Sequence, residues 1–369
     1  MIADDTTTAD AAYRLACEGT ALLWRGDFQN ARQLLQALAR RADKPARKPK
    51  FSAAHSPSAL ETFHLHRQAQ AQRARVLSMV LIPFDADYGI PLRRAPDARL
   101  ACAEAWGPPD VAGGPSVASL RELLGLISAH EWRKKGVEIT ALGLPPNNRI
   151  HPHYGVFSPI RGEYVGLIAV APLPALTEAH ASFRAFDIGT GTGVLSAVLA
   201  RRGVGDVVAT DQDPRALVCA QENLVRLGVA GQIQLLKTDL FPEGLANLIV
   251  CNPPWLPARA SSPIEHAVYD EDSRMLLGFL NGLTAHLAAG GEGWLIMSDL
   301  AEHLGLRSPE MLPQAIDSAG LQVLGRIDAR PVHPKASDAT DPLHAARLLE
   351  VTSLWRLAPH KNTRAGLSL

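Results

Sequence analysis

From residue 183 onward, short apolar runs alternate with helical stretches, and this alternation most constrains how the chain can fold. The runs RAFDI, DVVATD, QIQLLKTD, LANLIVCN and EGWLIMSDL predict five strands. Repeated βα units predict a mostly parallel sheet that is covered by helices on both faces. Two later runs, LQVLGRIDARP and LLEVTSLWRLA, predict a closing antiparallel pair.

A glycine-rich segment, DIGTGTG, follows the first predicted strand. Gly189, Gly191 and Gly193 allow the backbone to turn sharply and to approach a ligand closely before a helix begins. The dinucleotide pattern GxGxxG fits poorly, because a valine or a serine would stand at its third glycine. Since ligands of open α/β sheets bind beyond the carboxyl ends of the strands, the loop predicts a ligand site there.

Three aspartates end successive strands of this predicted sheet. Asp187 precedes the glycines, Asp211 ends the second strand and Asp239 ends the third. A carboxylate at Asp187 would face a pyrophosphate unfavourably, but it suits a ligand that carries an ammonium and a sulfonium. Asp211 could accept both hydroxyls of a ribose, and Asp239 could accept from an amino group. Any one of them alone would be interpreted as a helix cap or a solvated loop residue. Together they predict one shared site.

The fourth strand ends in the segment CNPPW, and its prolines stop the strand because they cannot donate to a sheet ladder. CNPPW resembles the motif of enzymes that methylate amino groups, which implies a poor nucleophile, an adenine amine or a side-chain amide, whose lone pair is delocalised. The carbonyls of Asn252 and Pro253 could hold the two hydrogens of such a group, with Pro254 fixing the geometry. Trp255 offers a flat apolar face for a base or a planar amide. The alternative is a strand terminator followed by a core tryptophan.

These motifs carry a family resemblance. Residues 183–300 resemble class I S-adenosylmethionine-dependent methyltransferases, with DIGTGTG as the glycine motif and ATDQDPRALVCAQEN as the ribose-binding segment. CNPPW resembles the (Asn/Asp/Ser)-Pro-Pro-(Tyr/Phe/Trp) motif of the amino-methylating branch, which acts on adenine in DNA and RNA or on glutamine in release factors. YGVFSPIRGEYVGLIAVAP resembles the segment that folds over the cofactor in small-domain RNA methyltransferases.

The resemblance implies an α/β fold with a seven-stranded, mostly parallel Rossmann-like methyltransferase sheet. It implies that S-adenosylmethionine is held by Phe157, Asp187, Gly189, Thr190, Gly191, Gly193, Asp211, Gln212, Asp239, Leu240 and Asn252. It implies a catalytic set of Asn252, Pro253, Pro254 and Trp255, with Trp255 also contacting the substrate. The methyl group would move by direct displacement, so no strong general base is expected.

The first 145 residues resemble no family and predict a mainly helical α/β accessory domain. The predicted elements are a helix from about residue 8, a helix through Phe28, Ala31, Leu35 and Leu38, a buried strand at 75–84, and a helix at 116–136 capped by Ser116. The segment LGLPPNNRIHP predicts a domain boundary. The accessory domain would then span 1–145, the catalytic domain 150–359 and a tail 360–369.

Charge is distributed unevenly, although the net charge is zero. Residues 1–150 contain 20 lysines and arginines against 15 aspartates and glutamates, and the surplus is concentrated at 25–75. The RNA phosphates are therefore predicted to contact Arg40, Arg41, Lys48 and Lys50. A solvated helical surface, or a surface that holds a protein partner, would produce the same pattern.

The remaining composition is that of an ordinary globular protein, with 47% hydrophobic and 20% charged residues. No apolar run approaches the length of a membrane span, and the polar, acidic start predicts no secretory signal, so a cytoplasmic location is expected. Four dispersed cysteines and two isolated His-x-His pairs predict no metal site.

The expected activity is methylation of a planar nitrogen, with the adenine amino group of ribosomal or transfer RNA favoured as substrate. The alternatives are a protein-glutamine methyltransferase, a small-molecule or peptide methyltransferase, and a cofactor-binding module without turnover. The intact CNPPW segment argues against the last of these.

Overall fold

The computed structural model describes residues 1–44, 57–175, 183–260, 265, 267–332 and 338–360. The chain divides into two compact units, Met1–Lys135 and Gly136–Leu369. Within the described ranges, none of the helices combines the length and the apolar character needed to cross a bilayer.

The first unit contains a four-stranded sheet with the order β1-β2-β3-β4. Its strands are β1 (Ile2–Ala3), β2 (Leu22–Trp24), β3 (Val80–Phe84) and β4 (Ser116–Ser119). The first three are parallel, and β4 runs antiparallel to β3. Its helices are α1 (Ala9–Cys17), α2 (Phe28–Ala42), α3 (Ala59–Leu77), α4 (Arg99–Trp106) and α5 (Leu120–Lys135). This confirms the predicted helical α/β character and the helix start near residue 8.

Two predicted boundaries in this unit are wrong. The strand predicted over 75–84 begins only at Val80, because the buried residues that precede it belong to the last turn of α3. The helix predicted from Ser116 begins at Leu120, because Ser116 pairs with Phe84 as part of β4. Ser119 takes the capping role, since its Oγ accepts the backbone N–H of Glu122 at 3.0 Å.

The second unit contains the predicted seven-stranded, mostly parallel sheet, in the order β12-β13-β11-β10-β7-β8-β9. Its strands are β7 (Arg184–Ile188), β8 (Asp206–Asp211), β9 (Ile233–Lys237), β10 (Ala246–Cys251), β11 (Leu287–Ser298), β12 (Leu321–Ala329) and β13 (Thr352–Pro359). A short antiparallel pair, β5 (Val137–Glu138) and β6 (Arg149–Ile150), precedes it. The predicted antiparallel pairing of the last two strands, β12 and β13, is confirmed.

The helices of this unit are α6 (Glu163–Val170), α7 (Val194–Arg201), α8 (Pro214–Arg226), α9 (Arg274–His286), α10 (Leu300–His303), α11 (Met311–Ser318) and α12 (His344–Leu349). The helix predicted to run through residue 291 stops earlier, because β11 already begins at Leu287. Gly293 of β11 lies against Leu283 of α9 so closely that a larger residue at position 293 would displace the Leu283 side chain.

Hydrophobic cores on both faces of the sheet bury the central strand β10 along its whole length. Leu248 and Val250 belong to one core, and Ile249 and Cys251 to the other, because successive residues of a strand point to opposite faces. Burying each large apolar side chain is worth about 1.5–3 kcal/mol. This packing fixes the carboxyl end of β10, and therefore Asn252, at the middle of the sheet edge.

Candidate active site

The glycine loop connects β7 to α7, and its three glycines serve different needs. At Gly189 (φ +73°) an added Cβ would lie 2.5 Å from Met275 Cε, and at Gly193 (φ +80°) it would lie 3.2 Å from Ala220 Cβ. At Gly191 (φ +55°) it would meet no atom within 4 Å. Only Gly191 therefore faces open space, as the close approach of a ligand requires.

Asp187 ends β7 beside this loop and is 1% exposed. Its Oδ2 accepts from Thr190 Oγ1 at 2.8 Å, from Ser196 N at 3.0 Å and from Ser196 Oγ at 2.6 Å. Its Oδ1 is buried and has no hydrogen-bond partner among the residues that the structure describes. Burial raises the pKa of Asp187, against the lowering effect of these hydrogen bonds. The site thus contains one carboxylate oxygen that a donor could satisfy.

Asp211 ends β8 and is joined to the same loop. Its Oδ2 accepts from Gly191 N at 3.0 Å and its Oδ1 from Asp213 N at 2.9 Å. Burial raises the pKa of Asp211 as well. The backbone N–H groups of Gly189 and Thr190 both donate to the carbonyl of Thr210 in β8, and Gln212 follows on the surface. The structure therefore brings together the predicted residues of the first two strand ends.

Asp239, beyond β9, is already paired. Its Oδ2 lies 2.6 Å from Arg274 Nη2, and about half of its side chain is exposed. Leu240 adopts φ +62°, and its carbonyl accepts from Thr210 Oγ1 at 2.6 Å, which ties the third strand end to the second. The carboxylate of Asp239, predicted to accept from an amino group, is thus paired with an arginine, and its predicted role stays a prediction.

Phe157 lies in the segment between β6 and α6 and is 36% exposed. This segment runs along α8, because His151 N donates to Asn223 Oδ1 at 2.8 Å and His153 Nε2 lies 3.0 Å from Glu222 Oε2. Asn223 Nδ2 also donates to Thr192 O of the glycine loop at 3.2 Å. The segment that contains Phe157 is therefore fastened to the loop through α8.

Asn252 follows β10, between a buried Cys251 and a buried Pro253. Its Oδ1 accepts the indole N–H of Trp255 at 3.0 Å. Trp255 is half-buried and packs against both cores of the sheet. The indole is thus part of the packing as well as a candidate surface on which a base or a planar amide could stack. A carbonyl oxygen has two lone pairs, so Asn252 can still accept a second hydrogen bond.

Sequence reasoning missed the residues that support this site. Asp270 is buried, and its carboxylate accepts the backbone N–H groups of Met275 and Leu276 at 3.0 and 3.1 Å, where α9 begins. Burial raises the pKa of Asp270. Two left-handed residues, Asp272 and Ser273, lie in the same turn. A useful signal was the acidic, serine-containing run directly before an apolar helix, which is typical of a helix start.

The basic stretch of the first unit is partly neutralised. Arg41 lies 2.8 Å from Asp10, and Arg73 pairs with Asp43 at 2.6 Å. Arg40 is exposed. The other two predicted phosphate contacts, Lys48 and Lys50, lie outside the described residues.

Among the residues that the structure describes, no three histidine, cysteine, aspartate or glutamate side chains are grouped so as to hold a metal ion. His64, from the HLH pair, makes an edge contact with the ring of Phe63.

Residues 147–307 match the family model of the methyltransferase small domain. The chain is 48% identical over 69 residues to a ribosomal protein L11 methyltransferase of Pelotomaculum thermopropionicum, covering 18% of this chain and 22% of the relative. It is 31% identical over 188 residues to a release factor glutamine methyltransferase of Cereibacter sphaeroides, covering 46% and 63%. It is 31% identical over 135 residues to a tRNA1(Val) (adenine(37)-N6)-methyltransferase of Pedobacter heparinus, covering 32% and 57%.

The chain thus spans between 22% and 63% of the length of these curated relatives. Among solved structures, a methyltransferase from Pyrococcus furiosus shares 19% identity with a TM-score of 0.39, covering 63% of this chain and 98% of that one.

Proposed function

We propose that this chain, whose residues 147–307 match the methyltransferase small domain, is an S-adenosylmethionine-dependent methyltransferase that acts on a planar nitrogen. The observation that carries the proposal is the unpartnered Oδ1 of buried Asp187, just before the loop whose Gly191 faces open space. Buried carboxylate oxygens nearly always have a donor, and the ammonium of the cofactor's amino-acid part supplies one. All three relatives are named as methyltransferases.

The other strand ends suit the rest of that cofactor. Asp211 accepts the backbone N–H groups of Gly191 and Asp213 on separate oxygens, and its carboxylate keeps lone-pair capacity for a ribose hydroxyl. Asp239 would accept the adenine amino group once Arg274 turned away, and Arg274 can move because its side chain is 70% exposed. The bound cofactor would supply an electrophilic methyl group on its sulfonium.

Asn252 would orient the nucleophile. The indole N–H of Trp255 holds Oδ1 in place, so that its second lone pair and the carbonyl of Pro253 can accept the two N–H groups of the substrate. Held in this way, the nitrogen lone pair would point at the methyl group that the cofactor would supply by displacement from its sulfur. The methylated nitrogen loses its proton to water, so no side chain has to act as a strong base.

For the substrate, we place the adenine amino group of ribosomal or transfer RNA first. The tRNA adenine methyltransferase relative and the basic surplus at 25–75 favour RNA. We propose the first unit, Met1–Lys135, as the part that recognises the substrate. The second candidate is a glutamine side chain of a protein. The longer alignment with the release factor enzyme favours it, as do the Arg41–Asp10 and Arg73–Asp43 pairs, which reduce the free positive charge.

The deciding experiment incubates the protein with radioactive S-adenosylmethionine and whole-cell extract, and then treats the product with nuclease or with protease. We expect label that nuclease releases and protease does not. Release by protease alone would establish the second candidate. Calorimetry that detects no S-adenosylmethionine binding would end the proposal for either substrate.

A salt titration tests the RNA contact itself. For single-stranded RNA, log K should fall with log salt by about 0.7 for each contacted phosphate. Replacing Arg40, Arg41, Lys48 and Lys50 together with glutamine should flatten this slope by up to about 3 units without changing cofactor affinity. An unchanged slope would remove this stretch from the RNA site.

A further inference from the structure

A second group of polar side chains lies in the second unit, at the carboxyl end of β11. Glu350 is 1% exposed, and its Oε1 accepts from Arg161 Nη1 at 3.0 Å and from Ser298 Oγ at 2.8 Å. Its Oε2 is buried and has no hydrogen-bond partner among the described residues. Half of a buried carboxylate is therefore fixed, and the other half is left without a donor.

This group lies at the same edge of the sheet as Asn252. β11 is the parallel neighbour of β10, with Leu295 opposite Cys251, and Ser298 extends three residues further along β11. Ser298 pairs with Thr352, the first residue of β13, and Glu350 precedes Thr352 by two residues. The unpartnered oxygen of Glu350 and the amide of Asn252 therefore lie beyond adjacent strands.

Three further polar atoms near Arg161 and Glu350 in the chain are buried without a hydrogen bond among the described residues, and the two hydroxyls among them can donate as well as accept. Thr352 Oγ1, Ser158 Oγ and Glu163 Oε1 are each buried without a hydrogen bond, and Ser158 and Glu163 flank Arg161 in the chain. Leaving a buried polar atom unsatisfied costs about 1–3 kcal/mol. An unpaired carboxylate oxygen such as Glu350 Oε2 suits a group that presents N–H or O–H.

We infer that Glu350 is a specificity-determining contact of the methyl acceptor, and that its Oε2 receives an N–H or O–H next to the methylated nitrogen. The inference rests on the proposed function, because it concerns the substrate of that same site. Groups of this chemistry are a primary amide, an amine or a sugar hydroxyl. Thr352 Oγ1 supplies a second, weaker contact to the same group.

Glu350→Gln is the informative variant. The amide oxygen can still accept from Arg161 and Ser298, while the amide NH2 replaces Oε2 and presents donors where the substrate presents its own. Glu302→Gln is the matched control, since Glu302 lies on α10 at the same end of β11 and is 3.9 Å from Arg307. Arg161→Met removes a donor to Oε1 but leaves Oε2 in place, and so tests whether Glu350 only anchors Arg161.

Initial rates of transfer from radioactive S-adenosylmethionine are measured at increasing concentrations of total cell extract. For Glu350→Gln we expect a rise in apparent KM of at least about tenfold, a kcat within about threefold, and unchanged cofactor affinity. Thr352→Val, which keeps the shape of the side chain, should raise KM about threefold. Glu302→Gln and Arg161→Met should change KM less than Glu350→Gln does.

Two results would overturn this inference while leaving the proposed function in place, provided that the protein binds the cofactor. One is a KM for Glu350→Gln equal to that for Glu302→Gln. The other is an equal rise in KM for Glu350→Gln and Arg161→Met. If Glu350→Gln does not fold, an unchanged KM in Thr352→Val decides against the inference. A wild-type protein that binds no S-adenosylmethionine, or labels nothing in the extract, would remove the proposed function and this inference together.

Discussion

Both units contain parallel strands whose carboxyl ends are followed by aspartates. The units differ in whether the carboxylate is fully paired within the chain. In the first unit, Asp27 lies beyond β2 with its side chain fully buried. Its Oδ1 accepts Gln29 N at 2.8 Å, and its Oδ2 lies 2.9 Å from Arg93 and 2.7 Å from Arg94. In the second unit, within the described part of the chain, no arginine pairs with Asp187 and one of its oxygens has no hydrogen-bond partner.

The pKa values follow this difference. The hydrogen bond from Arg94, helped by Gln29 N and by the charge of Arg93, lowers the pKa of Asp27 to about 2. Burial raises the pKa of Asp187. A carboxylate that is paired within the chain has a structural role, whereas one that is buried and incompletely paired marks a place for a ligand. The contrast therefore supports the proposal that the ligand binds at the second sheet.

The strongest test is Gly191→Val, which we expect to abolish S-adenosylmethionine binding. A branched side chain would fill the open space at Gly191 and would strain a backbone at φ +55°. Gly203→Val is the control, because Gly203 also has a positive φ (+91°) and open surroundings but follows α7. Calorimetry that gives wild-type affinity for Gly191→Val, or equal losses in both variants, would contradict the assignment.

Next in size is the effect of Asn252→Ala on turnover. Methyl transfer should fall by at least about a hundredfold with most cofactor affinity retained, because the amide orients the nucleophile in the transition state. Asn247→Ala is the control from the other end of β10, where Asn247 Oδ1 accepts Arg184 N at 2.9 Å. A wild-type rate for Asn252→Ala would make CNPPW a strand terminator.

Local patterns were sufficient to predict the parts of the second sheet that determine the site. The bounds predicted for β7 and β8 agree with the structure, because an apolar run bounded by turn residues is a local signal. The glycine loop and the break after β10 are local signals as well. In contrast, the helix cap predicted at Ser116 is wrong. Residues 116–119 suit a helix start and a short strand equally, and only their pairing with β3 decides for the strand.

Pairs that are distant in sequence were beyond prediction. Arg161 and Glu350 are 189 positions apart, and Arg274 and Asp239 are 35 apart. The residues around each arginine do not indicate which carboxylate it will pair with. The roles predicted for the site residues, including Asn252, remain predictions that the variants above test.

A third prediction compares the two aspartates directly. Asp187→Asn should weaken S-adenosylmethionine binding by about 1–3 kcal/mol, since the charge that pairs with the ammonium is lost. The amide oxygen can keep the bonds from Thr190 and Ser196, so the variant without cofactor should melt at or above the wild-type temperature. Asp27→Asn should have the opposite profile, with unchanged cofactor affinity and a lower melting temperature. Calorimetry and thermal melts of both variants check this.

The pH dependence of stability also distinguishes Asp27 from Asp187. The pKa of Asp27 is about 2 in the folded chain, below the unfolded value of about 3.9, so its stabilising effect is complete above about pH 4 and is lost as pH falls towards 2. The raised pKa of Asp187 has the opposite sign, so lowering the pH through that pKa adds stability. Relative to wild type, Asp27→Asn should therefore lose less stability between pH 4 and 2. Parallel curves for the two proteins would show that Asp27 is not the paired carboxylate described above.

The smallest effect should come from Trp255→Phe, which keeps a ring in the packing but removes the indole N–H from Asn252 Oδ1. One neutral hydrogen bond contributes about 0.5–1.5 kcal/mol, so we expect turnover to fall by roughly two- to tenfold. Trp255→Ala should lose more, because it removes the flat face and leaves a cavity between the two cores. Single-turnover rates at saturating cofactor measure both variants. If Trp255→Phe lost as much of the rate as Asn252→Ala, orienting the amide would be the main function of the indole. If Trp255→Ala were no slower than Trp255→Phe, the ring would not stack on the substrate.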